Sequence, residues 1–374
     1  MLVIKGKYDK AIVMSDSLEE SAKIQIENYL DQKAFIGSQV VIMPDVHAGA
    51  GCVIGFTSKL IDKVVPNIVG VDIGCGVMVI NLGKVKLDFK KLDEFIKNNI
   101  PFGFDVNNKA KPIEKSLREK IRKTSERVSS SFQRDLQSIG SLGGGNHFIE
   151  ISLDEKGNKY LLIHSGSRNF GYKVANYHQG VAKKYCLSKN DEIYDVPKSL
   201  AFLEGPLKED YLEDMQVAVE MAQANRESIS KEILAHLKLN GTTLDTFTTI
   251  HNYIDLERGF VRKGAVSAYQ NERIIIPWNM RDGSIIAKGL GKKDWNYSAP
   301  HGAGRILSRR KAKEELSIKE FKADMNGIYT TTATVKTIDE SPKAYKDYKE
   351  ILDKLKQTAI VTKILKPVYN FKAN

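Results

Sequence analysis

A chain of 374 residues with 42% hydrophobic content is long enough to bury a sizeable core, which excludes disordered and fibrous classes. Lys and Arg number 57 against 46 Asp and Glu, a formal charge of +11 that favours a polyanionic partner such as nucleic acid, nucleotide or anionic lipid. Cys52, Cys75 and Cys186 are too few and too scattered for a disulfide framework, the lysine-broken start MLVIKGKYDKAIVM has no signal-peptide core, and no apolar run is long enough to cross a bilayer. A cytoplasmic protein with free thiols and no membrane association is expected.

In chain order, β-rich runs at Val53 to Ser58 and Val77 to Leu82 alternate with Gly-rich turns, and a polar helical stretch follows over Ile113 to Leu136. Strands are expected at His147 to Ile151 and Tyr160 to His164. Lys208 to Leu237 has helical apolar spacing without Pro or Gly and reads as the longest helix. Strands follow at Phe247 to Tyr253, Arg273 to Ile276 and Ser284 to Lys288, helices near Gly304 to Glu315 and Pro342 to Lys356, and a last strand at Ile360 to Phe371. No repeat, low-complexity tract or linker divides the chain, so residues 1–374 are read as one domain. Strands and helices mix without a strict βαβ alternation, which points to an α+β fold of antiparallel-rich sheets with flanking helices.

Seven histidines occur, and His47, His147, His164, His251 and His301 lie in stretches too polar or too glycine-rich for ordinary core positions. His178 and His236 lie in helical stretches and read as surface or satisfied core imidazoles. In Gly70-Val71-Asp72-Ile73-Gly74-Cys75-Gly76 a carboxylate and a thiol can converge on a cation, although a tight turn with a capping Asp and a packed Cys reads equally from the string. Three glycines deliver Asn146 and His147 onto a strand with Glu150 three residues on. Alternation there groups His147 with Ile149, and Asn146 with Phe148 and Glu150. His164 and His251 each end a β-like run, where ligands project into a site. One Asp, one Cys and three His are too many for a single tetrahedral ion and suit two metals sharing the Cys75 thiolate; sulfur and imidazole favour Zn, while open positions beside phosphates also fit Mn. His301, in SAPHGAGRILSRR, has small residues after it and Arg305, Arg309 and Arg310 behind, which suits either a nucleophile beside bound phosphates or a capped helix start.

Taken together, D-x-x-C, GGGNHFxE, HSGSRxxG, HN and HGAGR, running in order from Met43-Pro44-Asp45-Val46-His47 to the C-terminus, resemble the RtcB family of RNA ligases over nearly the whole chain. The resemblance implies an RtcB-type fold and the joining of RNA ends bearing a 3′-phosphate or 2′,3′-cyclic phosphate to a 5′-hydroxyl, in RNA repair or tRNA splicing, using GTP and two Mn(II) per chain. It further implies that Asp72, Cys75 and His147 hold one Mn and Cys75, His164 and His251 the other, and that His301 becomes guanylylated. Asn146, His147, Phe148, Ile149, Glu150, His251, Asn252, Pro277, Trp278, Asn279, Met280, Ser284, His301, Gly302, Ala303, Gly304 and Lys372 match GTP-contacting positions, Arg134 and Arg309 match phosphate-binding ones for RNA, and an archease-type helper is a possible partner. Where the family has Pro-Gly-Ser-Met, this chain has Pro277-Trp278-Asn279-Met280, so a bulky stacking surface is expected at Trp278. A metal-dependent cyclic phosphodiesterase without ligation, and a non-catalytic RNA-binding module, are the competing readings.

Overall fold

Short apolar runs cut by Gly and Lys open the chain, and the computed structural model, which describes residues 1–373, turns them into β1 (Leu2–Lys5), β2 (Lys10–Val13), α1 (Glu20–Leu30), β3 (Val40–His47) and β4 (Ile54–Lys59). A short α2 (Pro66–Val69) precedes β5 (Gly76–Gly83), which Asp72 and Cys75 lead into. Next come α3 (Phe89–Asn99), α4 (Lys115–Arg127), α5 (Phe132–Ser138), β6 (Phe148–Leu153), β7 (Lys159–Ser165), α6 (Arg168–Leu187) and α7 (Gly205–His236). The second half adds β8 (Thr246–Ile250), β9 (Asn252–Asp255), β10 (Phe260–Lys263), β11 (Ala265–Ser267), β12 (Arg273–Asn279), β13 (Gly283–Gly289) and β14 (Ser298–Pro300). Helices α8 (Arg309–Glu315), α9 (Ile318–Asp324) and α10 (Tyr348–Leu355) lead to the long β15 (Ala359–Lys372).

The strands form a six-stranded sheet in the order β1-β2-β3-β4-β10-β9, a seven-stranded sheet in the order β12-β13-β15-β6-β7-β5-β8, and the pair β11-β14. Every pairing is antiparallel except β2 with β3, in keeping with the α+β expectation. The largest apolar core packs the first sheet against α1, α6 and α7, and a second buries Ile149, Ile151, Leu161 and Ile163 under the other sheet against α3 and α7.

Several expected elements divide. The helical stretch over 113–136 breaks at Ser129, whose φ of +54° cannot continue a helix, and restarts where the Ser131 hydroxyl accepts from Arg134 N–H. The helix expected from Gly304 begins only at Arg309, capped by Ser308, because Arg305 pairs with Tyr345 as an isolated bridge. The one expected from Pro342 is a single 3-10 turn followed by α10, whose N-cap is Asp347. The strand expected over Phe247 to Tyr253 is interrupted at His251: β8 joins one sheet through β5, and β9 joins the other through β10. That residue therefore sits on the seam between the sheets, its N–H donating to Cys75 O and its carbonyl accepting from Ala265 N–H.

Register then gathers the polar residues at one end of the seven-stranded sheet. Gly76 pairs with both Ser165 and Ile250, and Phe148 pairs with both His164 and Lys372. Cys75 before β5, His147 before β6, His164 late in β7, His251 after β8 and Lys372 at the end of β15 thus share that edge. Helix α7 braces it from below: the fully buried Arg226 guanidinium donates to Gly74 O and Ser165 O, 2.8 Å each, and Asn225 donates to Gly166 O and accepts from Gly140 and Ser141 N–H. Replacing Arg226 with Met keeps the volume but strands two buried carbonyls. The expected loss is about 3 kcal/mol in denaturant unfolding, and an unchanged midpoint would contradict this bracing role.

Candidate active site

The Cys75 sulfur is the centre of the polar cluster. It lies 3.1 Å from His147 Nε2 and 3.2 Å from His164 Nε2, and His147 Nε2 is also 3.1 Å from Asp72 Oδ2. All three of Cys75, His147 and His164 are buried, and their ligand atoms lie within 4.8 Å of one another, close enough to share a cation. The imidazoles continue as a ladder: ring centroids of His147 and His164, and of His164 and His251, are 5.2 Å apart, and His251 lies 5.0 Å from His301.

Burial sets the protonation of this group. It pushes the Cys75 thiol well above its ordinary range, with Asp72 adding to the effect, and it lowers His164 and His251, with neighbouring imidazoles adding to that. Without a cation the cluster therefore holds a thiol beside the neutral His164 and His251 rings. Nδ1 of both His147 and His164 is buried without a hydrogen-bond partner. One sulfur and two imidazole Nε2 atoms converging on one buried point form a donor set that suits a divalent metal.

His301 faces the same cleft from the opposite wall. Its Nδ1 is 2.6 Å from Asp45 Oδ2, and the same oxygen accepts the backbone N–H groups of His301 and Gly302. Asp45 is wholly buried, so its carboxylate fixes the ring, with Nδ1 donating to it and Nε2 left for the cleft. Two glycines let the strands close on this pair. Gly304, at φ +73°, brings backbone so near Asp45 O that a Cβ would sit 2.3 Å away, and a Cβ on Gly264, at φ +60°, would meet Ile54 at 2.1 Å and the His301 ring at 3.1 Å.

Between these walls lies a cavity of about 280 Å³. Asp72, Cys75, Asn146, Phe148, Glu150, His164, His251, Asn252, His301, Gly302, Ala303 and Gly304 all border it, as do Pro277, Trp278, Asn279, Met280, Ser284, Arg309 and Lys372. Ile149 points the other way, fully buried in the core with Ile151 and Ile163, as strand alternation requires, while His147 precedes β6 and turns to the sulfur. Arg134 lies outside the cavity, exposed on α5, with Nη2 donating to Phe104 O. Trp278 is the extra residue of a β-bulge between Pro277 and Asn279. It is 4% exposed, and its ring stacks on Tyr348 at 5.9 Å within a core cluster. The indole is thus taken up mainly by packing, not offered as the free stacking surface expected from the sequence.

The far end of the cavity is charged and strongly tied. Lys372 Nζ donates to Asn146 O and to Glu340 Oε2, both at 2.9 Å; Glu340 also takes Tyr345 and Arg305, and Arg309 bridges Glu340 and Asp339. Burial opposes ionisation of Glu340, but Lys372, Arg309 and Arg305 hold its carboxyl at about 2. Burial pushes Glu150 the other way, up to about 7, against hydrogen bonds from Ser152 and Asn370. Asp45, His47, Arg305, Glu340, Tyr345 and Asn370 were not picked out as site residues from sequence. Of these, Asp45 and His47 stood inside MPDVH and Arg305 inside HGAGR, and Asp45 is further marked by being a carboxylate in an otherwise apolar strand.

A profile of the family described as "tRNA-splicing ligase RtcB" matches residues 25–129 and 113–373. The chain is 30% identical to the RNA-splicing ligase RtcB of Escherichia coli K12 over 90% of both chains. It is 29% identical to the tRNA-splicing ligase RtcB of Nanoarchaeum equitans, covering 94% of this chain and 88% of that one, and 26% identical to that of Aeropyrum pernix, covering 85% and 83%.

A raised thiol and lowered imidazoles set the sign of a pH effect. Cys75 must lose its proton to bind a cation while the His164 and His251 rings are already neutral, so uptake of a divalent cation should release about one proton and strengthen as pH rises toward the thiol's range. Calorimetry in two buffers of different ionisation enthalpy measures this, and Cys75→Ala should abolish both proton release and tight uptake. Undiminished uptake by the variant would contradict the assignment.

Proposed function

The chain belongs to the RtcB family, and on that footing we propose that it is an RNA ligase joining a 3′-phosphate or 2′,3′-cyclic phosphate end to a 5′-hydroxyl end, with GTP as co-substrate and Mn(II) as cofactor. The observation that carries the reading is the Asp45–His301 pair, which turns Nε2 toward a cleft whose other wall is the Cys75 cluster. When bound, two Mn(II) held by Asp72, Cys75, His147, His164 and His251 would offset phosphate charge and favour in-line displacement.

His301 Nε2 attacks the α-phosphorus of GTP, a P–N bond forms, and the bond to pyrophosphate breaks. No proton has to leave the ring, because Nδ1–H stays on Asp45, and the positive charge developing on the imidazole is balanced by that carboxylate. A 2′,3′-cyclic end is first opened by water, which adds to phosphorus as the bond to O2′ breaks and leaves a 3′-phosphate and a 2′-hydroxyl; an oxygen of the RNA 3′-phosphate then displaces His301 and takes the GMP. The 5′-hydroxyl attacks the activated phosphate, GMP leaves, and the phosphodiester is closed.

Other residues position the reactants. Glu150, Asn370 and Lys372 present a carboxylate, an amide and an ammonium at the far end of the cavity, a set suited to the polar edge of guanine. Asn252 donates to Asp72 O and accepts from Gly264 N–H, which ties the metal turn to the His301 wall. Arg309, its exposed side toward Gly145, suits the RNA phosphate. RNA is the macromolecular partner in this reading, in tRNA splicing or repair of cleaved RNA, with an archease-type helper as a candidate for promoting turnover.

With GTP labelled at the α-phosphate and Mn(II), the protein should take up covalent label, His301→Ala should take up none, and Asp45→Asn should slow labelling about 100-fold or more with little change in GTP affinity. Equal labelling of His301→Ala would overturn the proposal. Cyclic-phosphate opening without GTP, together with unlabelled protein, would instead favour a phosphodiesterase.

A further inference from the structure

Of the exposed large apolar side chains, Phe104 is the most exposed, at 96%. Its turn is held, not loose. Leu142 N–H donates to Pro101 O at 2.7 Å, and Asp105 N–H closes the turn onto Phe102 O at 3.2 Å. The preceding Phe102 packs edge-on against Phe371, with ring centroids 5.4 Å apart. Two guanidinium groups complete the anchoring: Arg168 Nη2 donates to Gly103 O, and Arg134 Nη2 donates to Phe104 O at 3.1 Å. Five contacts thus fix the turn that holds an aromatic ring in water, where apolar surface is otherwise unfavourable.

Position gives this ring a use. Gly103 lies against the glycine loop that delivers His147 to the metal cluster, its Cα 3.9 Å from where a Cβ of Gly144 would be. On the same loop, Arg309 covers Gly145 and Arg168 covers Gly143. Moving outward from the Cys75 cluster, the order is therefore His147, the glycine loop, then Phe104, with Arg309 and the exposed Arg134 beside them. An exposed ring whose own turn carries one guanidinium, with a second over the adjoining glycine loop, suits single-stranded nucleic acid, the bases stacking and the phosphates taking the guanidiniums.

We infer that Phe104 is a stacking platform for an unpaired base of the RNA at its 3′-phosphate end, with Arg134 holding both the platform and the adjoining backbone phosphate. This inference rests on the ligase reading, and it adds to it a subsite that grips RNA independently of the nucleotide pocket. A base, unlike a phosphate, calls for an aromatic face, which is why the turn carries Phe rather than another Arg or Lys.

The test uses a short RNA with a 3′-phosphate and 2-aminopurine as its last base, added to the full-length protein with Mn(II) and without GTP. Stacking on Phe104 should quench the 2-aminopurine. Phe104→Ala and Phe104→Leu should leave it bright and weaken binding about 10-fold, while Phe104→Trp should restore both quenching and affinity. Labelling of His301 by GTP, which needs no RNA, is measured on the same samples. RNA affinity unchanged in Phe104→Ala with labelling intact would overturn the platform and leave ligation standing. Loss of labelling in Phe104→Ala would also overturn it, as a sign of a structural role. Failure of the unaltered protein to label would instead sink the ligase reading, and the RNA measurements would still stand by themselves.

Discussion

The cluster around the Cys75 sulfur depends on strand register. Because Gly76 pairs with Ser165 on one side and Ile250 on the other, and Phe148 pairs with His164, a thiol and three imidazoles from four distant segments are forced to the same end of one sheet. A slip of one residue in any pairing would send a ligand to the opposite face, where Ile149 and Ile163 fill the core. Arg226 fixes this register from beneath by tying the residue before Cys75 to the residue after His164.

His301 is held by the other sheet system. Asp45 is on β3, His301 follows β14, and they meet only because β14 pairs with β11, which the chain enters two residues after leaving β10. His251 lies between the two halves, its backbone bonded to Cys75 and to Ala265 and its ring midway along the ladder from His164 to His301. The Cys75 wall and the His301 wall are thereby linked through one residue on the seam. In the proposed reaction, an opposed arrangement of this kind would let charge be offset on one side of a phosphate while the imidazole approaches from the other.

Much of this was legible in the sequence because glycines and ligand types marked it. D-x-x-C, GGGNH and HGAG each put a polar side chain beside glycines, and each lies in the cleft or its Cys75 cluster. Periodicity likewise gave the long helix and most strands. What could not be read depends on partners far away in the chain. Asp45 is 256 residues from His301, and nothing local distinguishes a carboxylate that orients an imidazole from one that caps a turn. The break at His251 is invisible in an apolar β-run whose two halves enter different sheets. Trp278 reads as bulk in a nucleotide pocket until the bulge and Tyr348 take up its ring. Glu340 and Arg305 form a buried ion network whose members look like ordinary surface charges one by one.

The most direct test of the whole arrangement is crystallographic: anomalous scattering from crystals grown with Mn(II) and a GTP analogue that cannot be cleaved between the α- and β-phosphates. The account requires two manganese peaks that share Cys75 Sγ, and an α-phosphorus about 3–3.5 Å from His301 Nε2. A nucleotide bound with its α-phosphate away from His301, or manganese bound without the Cys75 sulfur, would contradict it.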